Sequence, residues 1–126
     1  MDDQIEIGSV ADLVEEVRPY AGQDCEIRYR VRTDRTLDTD ETITGWTLVW
    51  TLFSSADDAS AQLVKTTAAG IAISTPYATV TITAANNATL TEDTEYRMQL
   101  WRNDSGNKYP LTGFGIYKLR PAPPLS

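Results

Sequence analysis

Few residues in this 126-residue chain have types and spacing that point to chemistry beyond packing. Cys25 would act as a nucleophile only as its thiolate, which at neutral pH needs a base or a cation beside it. The chain has no histidine, and Cys25 stands in phase with Ile27, Tyr29 and Val31, so it reads as a small buried apolar residue. A lone cysteine also excludes an internal disulfide. Asp34, Asp38, Asp40 and Glu41 are dense enough to raise a calcium site, but they lack the Asp-x-Asp-x-Asp-Gly spacing of an EF-hand loop. They read as a solvated loop, and no metal is expected. Asp57-Asp58 and Glu92-Asp93 fall in turn-rich stretches, where aspartate is ordinary turn chemistry. A glycosidase would need two carboxylates opposed across a cleft. Gly113-Phe114-Gly115 is too little for a phosphate loop. No catalytic, cofactor-binding or metal-ligating set is therefore expected, and the chain reads as a non-enzyme.

What remains is chemistry of contact. Arg28, Arg30 and Arg32 alternate with inward-facing residues and form a basic stripe on one strand face. The stripe reads either as a solvated face paired to carboxylates on a neighbouring strand or as a surface for an acidic partner. Trp101 lies out of phase with the core residues of its strand, on the side of Arg97 and Gln99. It is either an edge tryptophan covered by the N-terminal arm or a loop, or part of a protein interface, where Trp and Arg concentrate.

The elements that must position these residues are strands. Residues 45–52 read Gly-Trp-Thr-Leu-Val-Trp-Thr-Leu, with Trp46, Leu48, Trp50 and Leu52 on one face and Thr47, Val49 and Thr51 on the other. That period is the mark of a half-buried strand. Two tryptophans on one face would anchor a core, each burying on the order of 200 Å². Cys25–Arg32 alternates as cleanly. Further strands are predicted over residues 62–67, at Ile71 and Ile73, and over 77–83 with Ala78, Val80 and Ile82 inward; Pro76 argues against a central ladder position. In the strand beginning at Tyr96, Met98 and Leu100 share its inward face. Residues 84–90 suit a single helical turn capped by Thr83. Asp104-Ser105-Gly106-Asn107 is a hairpin turn with Gly106 at positive φ. In the returning strand, residues 109–119, Phe114 and Ile116 compete with Tyr117 and Leu119 for the core.

Residues 1–22 form an arm. Val10, Leu13, Val14 and Val17 have helical spacing, with Ser9 as a cap and Pro19 as a stop. In an all-β chain the same residues also fit an irregular edge strand, and both readings stand. Pro121, Pro123 and Pro124 make residues 121–126 an extended tail. The whole is an all-β chain, an immunoglobulin-like antiparallel β-sandwich of about seven strands over residues 23–120.

Net charge is −7, the wrong sign for a nucleic-acid binder that neutralises phosphates or for an anionic membrane. The opening Met-Asp-Asp-Gln is acidic and reads as no signal peptide, and no stretch approaches transmembrane length. Synthesis in a cytoplasm is expected.

Residues 81–107, Thr-Ile-Thr-Ala-Ala-Asn-Asn-Ala-Thr-Leu-Thr-Glu-Asp-Thr-Glu-Tyr-Arg-Met-Gln-Leu-Trp-Arg-Asn-Asp-Ser-Gly-Asn, resemble a pattern in small immunoglobulin-like domains of tailed-bacteriophage virion proteins. There, a strand ending in hydrophobic-Thr-Ala leads to a short Ala/Asn/Asp turn and a Leu. A tight turn then precedes Tyr, an alternating strand and an Asp-x-Gly hairpin. Upstream, Ile43-Thr44-Gly45 stands where that family has Leu-Thr-Gly. The likeness covers residues 23–120 and leaves out the arm and the tail. It implies a non-enzymatic virion component, on the capsid surface, the neck, the tail or the baseplate. The expectation is a capsid decoration or cement protein, homo-oligomeric, bound to the major capsid protein through its ends and one sheet face. A tail, neck or baseplate/fibre adaptor is the alternative. A carbohydrate- or receptor-binding module, with Trp101 or Tyr109 stacked on a sugar, is a third reading. The interface candidates are Trp101, Arg97, Arg28, Arg30, Arg32, Val10, Leu13, Val14, Pro121, Pro123 and Pro124.

Overall fold

The computed structural model describes residues 9–33, 39–54 and 61–121. Ten strands and one helical turn follow in order: β1 (Val10–Ala11), β2 (Glu16–Val17), β3 (Cys25–Arg32), β4 (Thr47–Phe53), β5 (Leu63–Thr66), β6 (Ile71–Ser74), β7 (Tyr77–Ile82), α1 (Ala84–Asn87), β8 (Glu95–Asp104), β9 (Asn107–Pro110) and β10 (Gly115–Lys118). They make two sheets. One has the order β1-β3-β7-β6, the other β2-β10-β8-β4-β5, with β9 added beside β8. The chain is an all-β sandwich.

Alternation builds the core. Ile27, Tyr29 and Val31 of β3 and Ala78, Val80 and Ile82 of β7 point inward from the first sheet. Leu48, Trp50 and Leu52 of β4 and Tyr96, Met98 and Leu100 of β8 meet them from the second. Between the layers, the Trp50 indole donates to the Tyr29 hydroxyl at 3.2 Å, and its ring meets Tyr117 edge-on with centroids 6.2 Å apart. Trp46 does not join this core fully. The strand starts one residue later, and Trp46 lies half-buried at the rim with the Arg102 guanidinium 3.8 Å above its ring.

Residues 9–22 contain no helix. The arm pairs antiparallel with β3 through β1, crosses to the second sheet, and runs parallel to β10 through β2. That β2–β10 pair departs from the antiparallel pattern expected throughout, because a segment crossing between layers keeps its direction while changing neighbours. The returning strand is also two strands. Its chain breaks after Pro110, and residues 111–114 step over the edge of β8, where Leu111 N–H donates to Leu100 O and Leu100 N–H to the Thr112 hydroxyl. Tyr117 and Leu119 take the core positions, and Phe114 is left outside.

Local chemistry fixes the connections. Thr83 caps α1, its hydroxyl accepting from Asn86 N–H while the Asn86 side chain accepts from Thr83 N–H, a reciprocal capping box. Ser105 and Gly106 both have positive φ, the geometry that a two-residue hairpin needs to follow strand twist. Tyr96, at the start of β8, accepts the Thr91 N–H on its hydroxyl at 2.9 Å. Asn87, 1% exposed, accepts from the Tyr117 hydroxyl at 2.6 Å and donates to Gln23 O at 2.8 Å.

Candidate binding face

The two outward faces of the sandwich differ in chemistry. The outer face of the first sheet carries Glu26, Arg28, Arg30 and Arg32 beside Tyr77, Thr79 and Thr81. Its arginines are occupied. Arg28 lies 3.6 Å over the Tyr77 ring, and Arg30 pairs with Asp40. The Arg32 Nε stands 2.8 Å from Asp12 Oδ1, close enough for an ion pair though its N–H is not aligned for a hydrogen bond. Two of the three arginines therefore have a carboxylate beside them and the third an aromatic ring. Of the acidic loop residues, Asp40 serves as the partner of Arg30, while Asp34 and Asp38 lie outside the described residues.

The outer face of the second sheet is different. From register, its rows read Lys108–Asn103–Thr47, then Pro110–Trp101–Val49–Thr66, then Gln99–Thr51–Val64, then Glu16–Ile116–Arg97–Phe53, with Lys118 and Glu95 below. Val64 is 54% exposed and Phe114, beside Ile116, 44% exposed. An antiparallel sheet facing water is normally polar on that side. This one is apolar at its centre, with threonines between.

Trp101 sits in the middle of it. Its strand, β8, is central rather than an edge, between β4 on one side and β9 and β10 on the other. The indole N–H donates to the Thr51 hydroxyl at 3.0 Å, and the residue is partly buried. Arg97 shares the face, between Ile116 and Phe53. The sequence put Trp101 and Arg97 on this side. It did not single out Val49, Phe53, Val64, Phe114 and Ile116, although the parity of Val49 opposite Trp50 was already a signal.

The other candidates lie elsewhere. Val10 is opposite Arg32 in the first sheet, Leu13 is exposed on the crossing, and Val14 packs inward against the core. Pro121 is exposed; Pro123 and Pro124 lie outside the described residues. Val10, Leu13 and Arg32 help to line a cavity of about 460 Å³ at the crossing, together with Gln99, Leu111 and Thr112. Gln99 donates to Thr112 O at 2.8 Å, and its Oε1 has no partner among the described residues. The arrangement offers polar contacts and no nucleophile.

Burial raises the pKa of three titratable groups, the partly buried Cys25 and the buried Tyr29 and Tyr117. Burial pushes the Cys25 thiol up, only partly offset by the neighbouring Tyr117 hydroxyl. Burial likewise pushes Tyr29 up to about 12 and raises Tyr117. These shifts oppose nucleophilic chemistry, which needs the deprotonated form. Among the described residues no group of three or more metal-ligating side chains comes together, and no helix is long and apolar enough to cross a membrane. No known protein-family model matches the chain, and no curated protein matches it.

Proposed function

We propose that this chain is a non-enzymatic structural protein of a tailed-phage virion, an immunoglobulin-type domain that decorates the capsid shell by surface contact. The observation that carries a contact role is the contrast between the two outer faces. One sets Arg30 and Arg32 beside Asp40 and Asp12 and Arg28 over the Tyr77 ring; the other gathers Trp101, Val49, Phe53, Val64 and Ile116 at its centre around Arg97, with Lys108, Glu16, Lys118 and Glu95 toward its ends. Contiguous apolar surface of this kind marks interaction sites, and Trp with Arg is the composition of interface centres.

The immunoglobulin type is supported by three features. The layers divide four strands against a larger sheet, a tryptophan is buried at the centre of an inner strand, and Tyr96 bonds back to backbone five residues upstream at the start of β8. That last contact is similar to the tyrosine corner of such domains. The virion setting rests on the sequence likeness over residues 23–120. Its mechanism would be binding energy alone, apolar area buried against the shell.

Electron cryo-microscopy of the purified particle tests the proposal. Density of this size on the shell is the expected result. Density on the tail with none on the shell replaces decoration with an adaptor role, and absence of the protein from particles overturns the virion reading.

A further inference from the structure

We infer that the cavity of about 460 Å³ where the arm crosses between the sheets is a binding site for a neutral, polyhydroxylated ligand, a saccharide of one or two rings. The inference goes beyond the contact role and does not depend on the virion setting. Two polar atoms at the cavity, Gln99 Oε1 and Arg32 Nε, are buried with no hydrogen-bond partner among the described residues. Gln99 as a whole is 8% exposed. Its amide cannot turn over to find a partner, because Nε2 already donates to Thr112 O at 2.8 Å and a flip would set two acceptors against each other. Oε1 is therefore held as an open acceptor. Native structures rarely leave such groups unpaired. The cavity exceeds the share of one water, about 30 Å³, and falls in the roughly 300–1,000 Å³ range of small-molecule sites.

The chemistry of the walls selects the ligand. Arg32 Nε stands 2.8 Å from Asp12 Oδ1, so a guanidinium and a carboxylate sit together at the site. An anion would meet the carboxylate and a cation the guanidinium; a neutral ligand meets neither repulsion. It must bring a donor to Gln99 Oε1 and an acceptor to the Arg32 Nε–H. The Thr112 hydroxyl accepts from Leu100 N–H at 3.3 Å, which leaves its own proton to give. A ligand hydroxyl donates and accepts through the same atom, so adjacent hydroxyls answer this mixed set.

A peptide strand answers it poorly. Strand addition is carried by main-chain bonds, and the main chain of the walls is already engaged. Ala11 N–H donates to Leu111 O, Asp12 N–H to Arg30 O and Leu111 N–H to Leu100 O. Recognition is left to side chains. Val10, Leu13 and Leu111 add apolar wall for the C–H faces of a ring. Leu13 and Gly113 are exposed and mark the mouth. Neither Trp101 nor Tyr109, the aromatic platforms suggested by the sequence, lines this cavity.

The test is a titration of the isotope-labelled full chain followed by heteronuclear NMR. The probes are glucose, galactose, mannose, N-acetylglucosamine, maltose and lactose, each raised to about 50 mM, where even millimolar contacts saturate. N-acetylglycine methylamide, a neutral peptide-like probe without hydroxyls, runs in parallel. At least one saccharide should shift the Gln99 side-chain amide and the Gly113 backbone amide saturably. Gln99→Met removes the open acceptor and should weaken binding at least about tenfold. It also strands Thr112 O, so Gly113→Phe supplies a second arm. Gly113 has no positive φ, and a Cβ there meets nothing within 4 Å. That variant keeps the fold while crowding the mouth, and binding should fall by a similar factor. Circular dichroism melts check that both variants are folded. Absence of saturable shifts from every saccharide overturns the inference, the cavity then holding water alone. Shifts that survive in Gly113→Phe also overturn it, since the sugar then binds elsewhere. Saturation by the peptide-like probe with none by the sugars overturns the hydroxyl chemistry in favour of an amide ligand.

Discussion

Trp50 and Tyr29 tie the two sheets together through one buried hydrogen bond, the indole N–H of β4 donating to the hydroxyl of β3 at 3.2 Å. Both residues are almost wholly shielded from water, so neither group has a solvent alternative. Tyr29→Phe removes the acceptor and keeps the ring. The stranded indole N–H then costs about 1–3 kcal/mol. Urea denaturation measures it as a lower midpoint at unchanged slope. An unchanged midpoint means that the bond contributes nothing net.

The same pair predicts alkaline behaviour. Tyr29 is raised to about 12 by burial, against the helping Trp50 N–H, and Tyr117 is raised by burial too. An unfolded tyrosine ionises near 10. Groups raised in the folded state leave stability intact below about pH 10 and lose it as pH climbs toward about 12, because only the unfolded chain releases the protons. Each of the two contributes a loss approaching about 1.4 kcal/mol per pH unit in that window. Thermal midpoints taken between about pH 9 and pH 11.5 should fall steeply above 10; a flat profile contradicts it.

Gly115 and Val14 predict a steric effect. A Cβ on Gly115 would overlap the Val14 carbonyl oxygen and press on the Met98 side chain. The arm lies there because Ile116 N–H donates to Glu15 O at 2.8 Å. Gly115→Ala forces the arm off this seat, an overpacking cost of about 1–3 kcal/mol. Hydrogen exchange at the Ile116 amide should accelerate more than at Met98, and equal protection at both sites would show that the arm accommodates the methyl.

Period-two alternation made the inner residues of β3, β4, β7 and β8 readable from sequence, since a polar outer partner stood beside most of them. It failed for residues 109–119 because the outer face there is also apolar. Phe114 and Ile116 lie outside, Tyr117 and Leu119 inside, and nothing in their types separates them. The arm was ambiguous for a different reason. Crossing between sheets changes which side faces the core, so Val10, Leu13, Val14 and Val17 acquire a spacing that imitates a helix. The neutralising partners of Arg30 and Arg32 are Asp40 and Asp12, set by register and by the arm's path, which the stripe alone does not reveal. Trp101 and Arg97 were visible by parity; the breadth of the face around them depended on strand order.

Asn87 gives the sharpest test of the buried polar network. Its Oδ1 accepts from the Tyr117 hydroxyl and its Nδ2 donates to Gln23 O, both within 2.8 Å. Asn87→Asp is nearly isosteric. Protonated, the new carboxyl reproduces both bonds, its O–H donating to Gln23 O and its other oxygen accepting from Tyr117. Ionised, it sets a buried charge against the Gln23 carbonyl, and burial raises its folded-state pKa. A raised carboxyl pKa means stability present below the unfolded value, near 4, and lost as pH rises through the folded one. The variant should therefore approach wild-type stability at about pH 4 and fall below it by several kcal/mol at pH 7, the order expected for an unpaired buried charge. Asn87→Ala, which keeps neither bond, should be destabilised equally at both pH values. If the Asp variant shows no pH dependence relative to wild type, the side chain has turned out to solvent and the network does not hold position 87 in place.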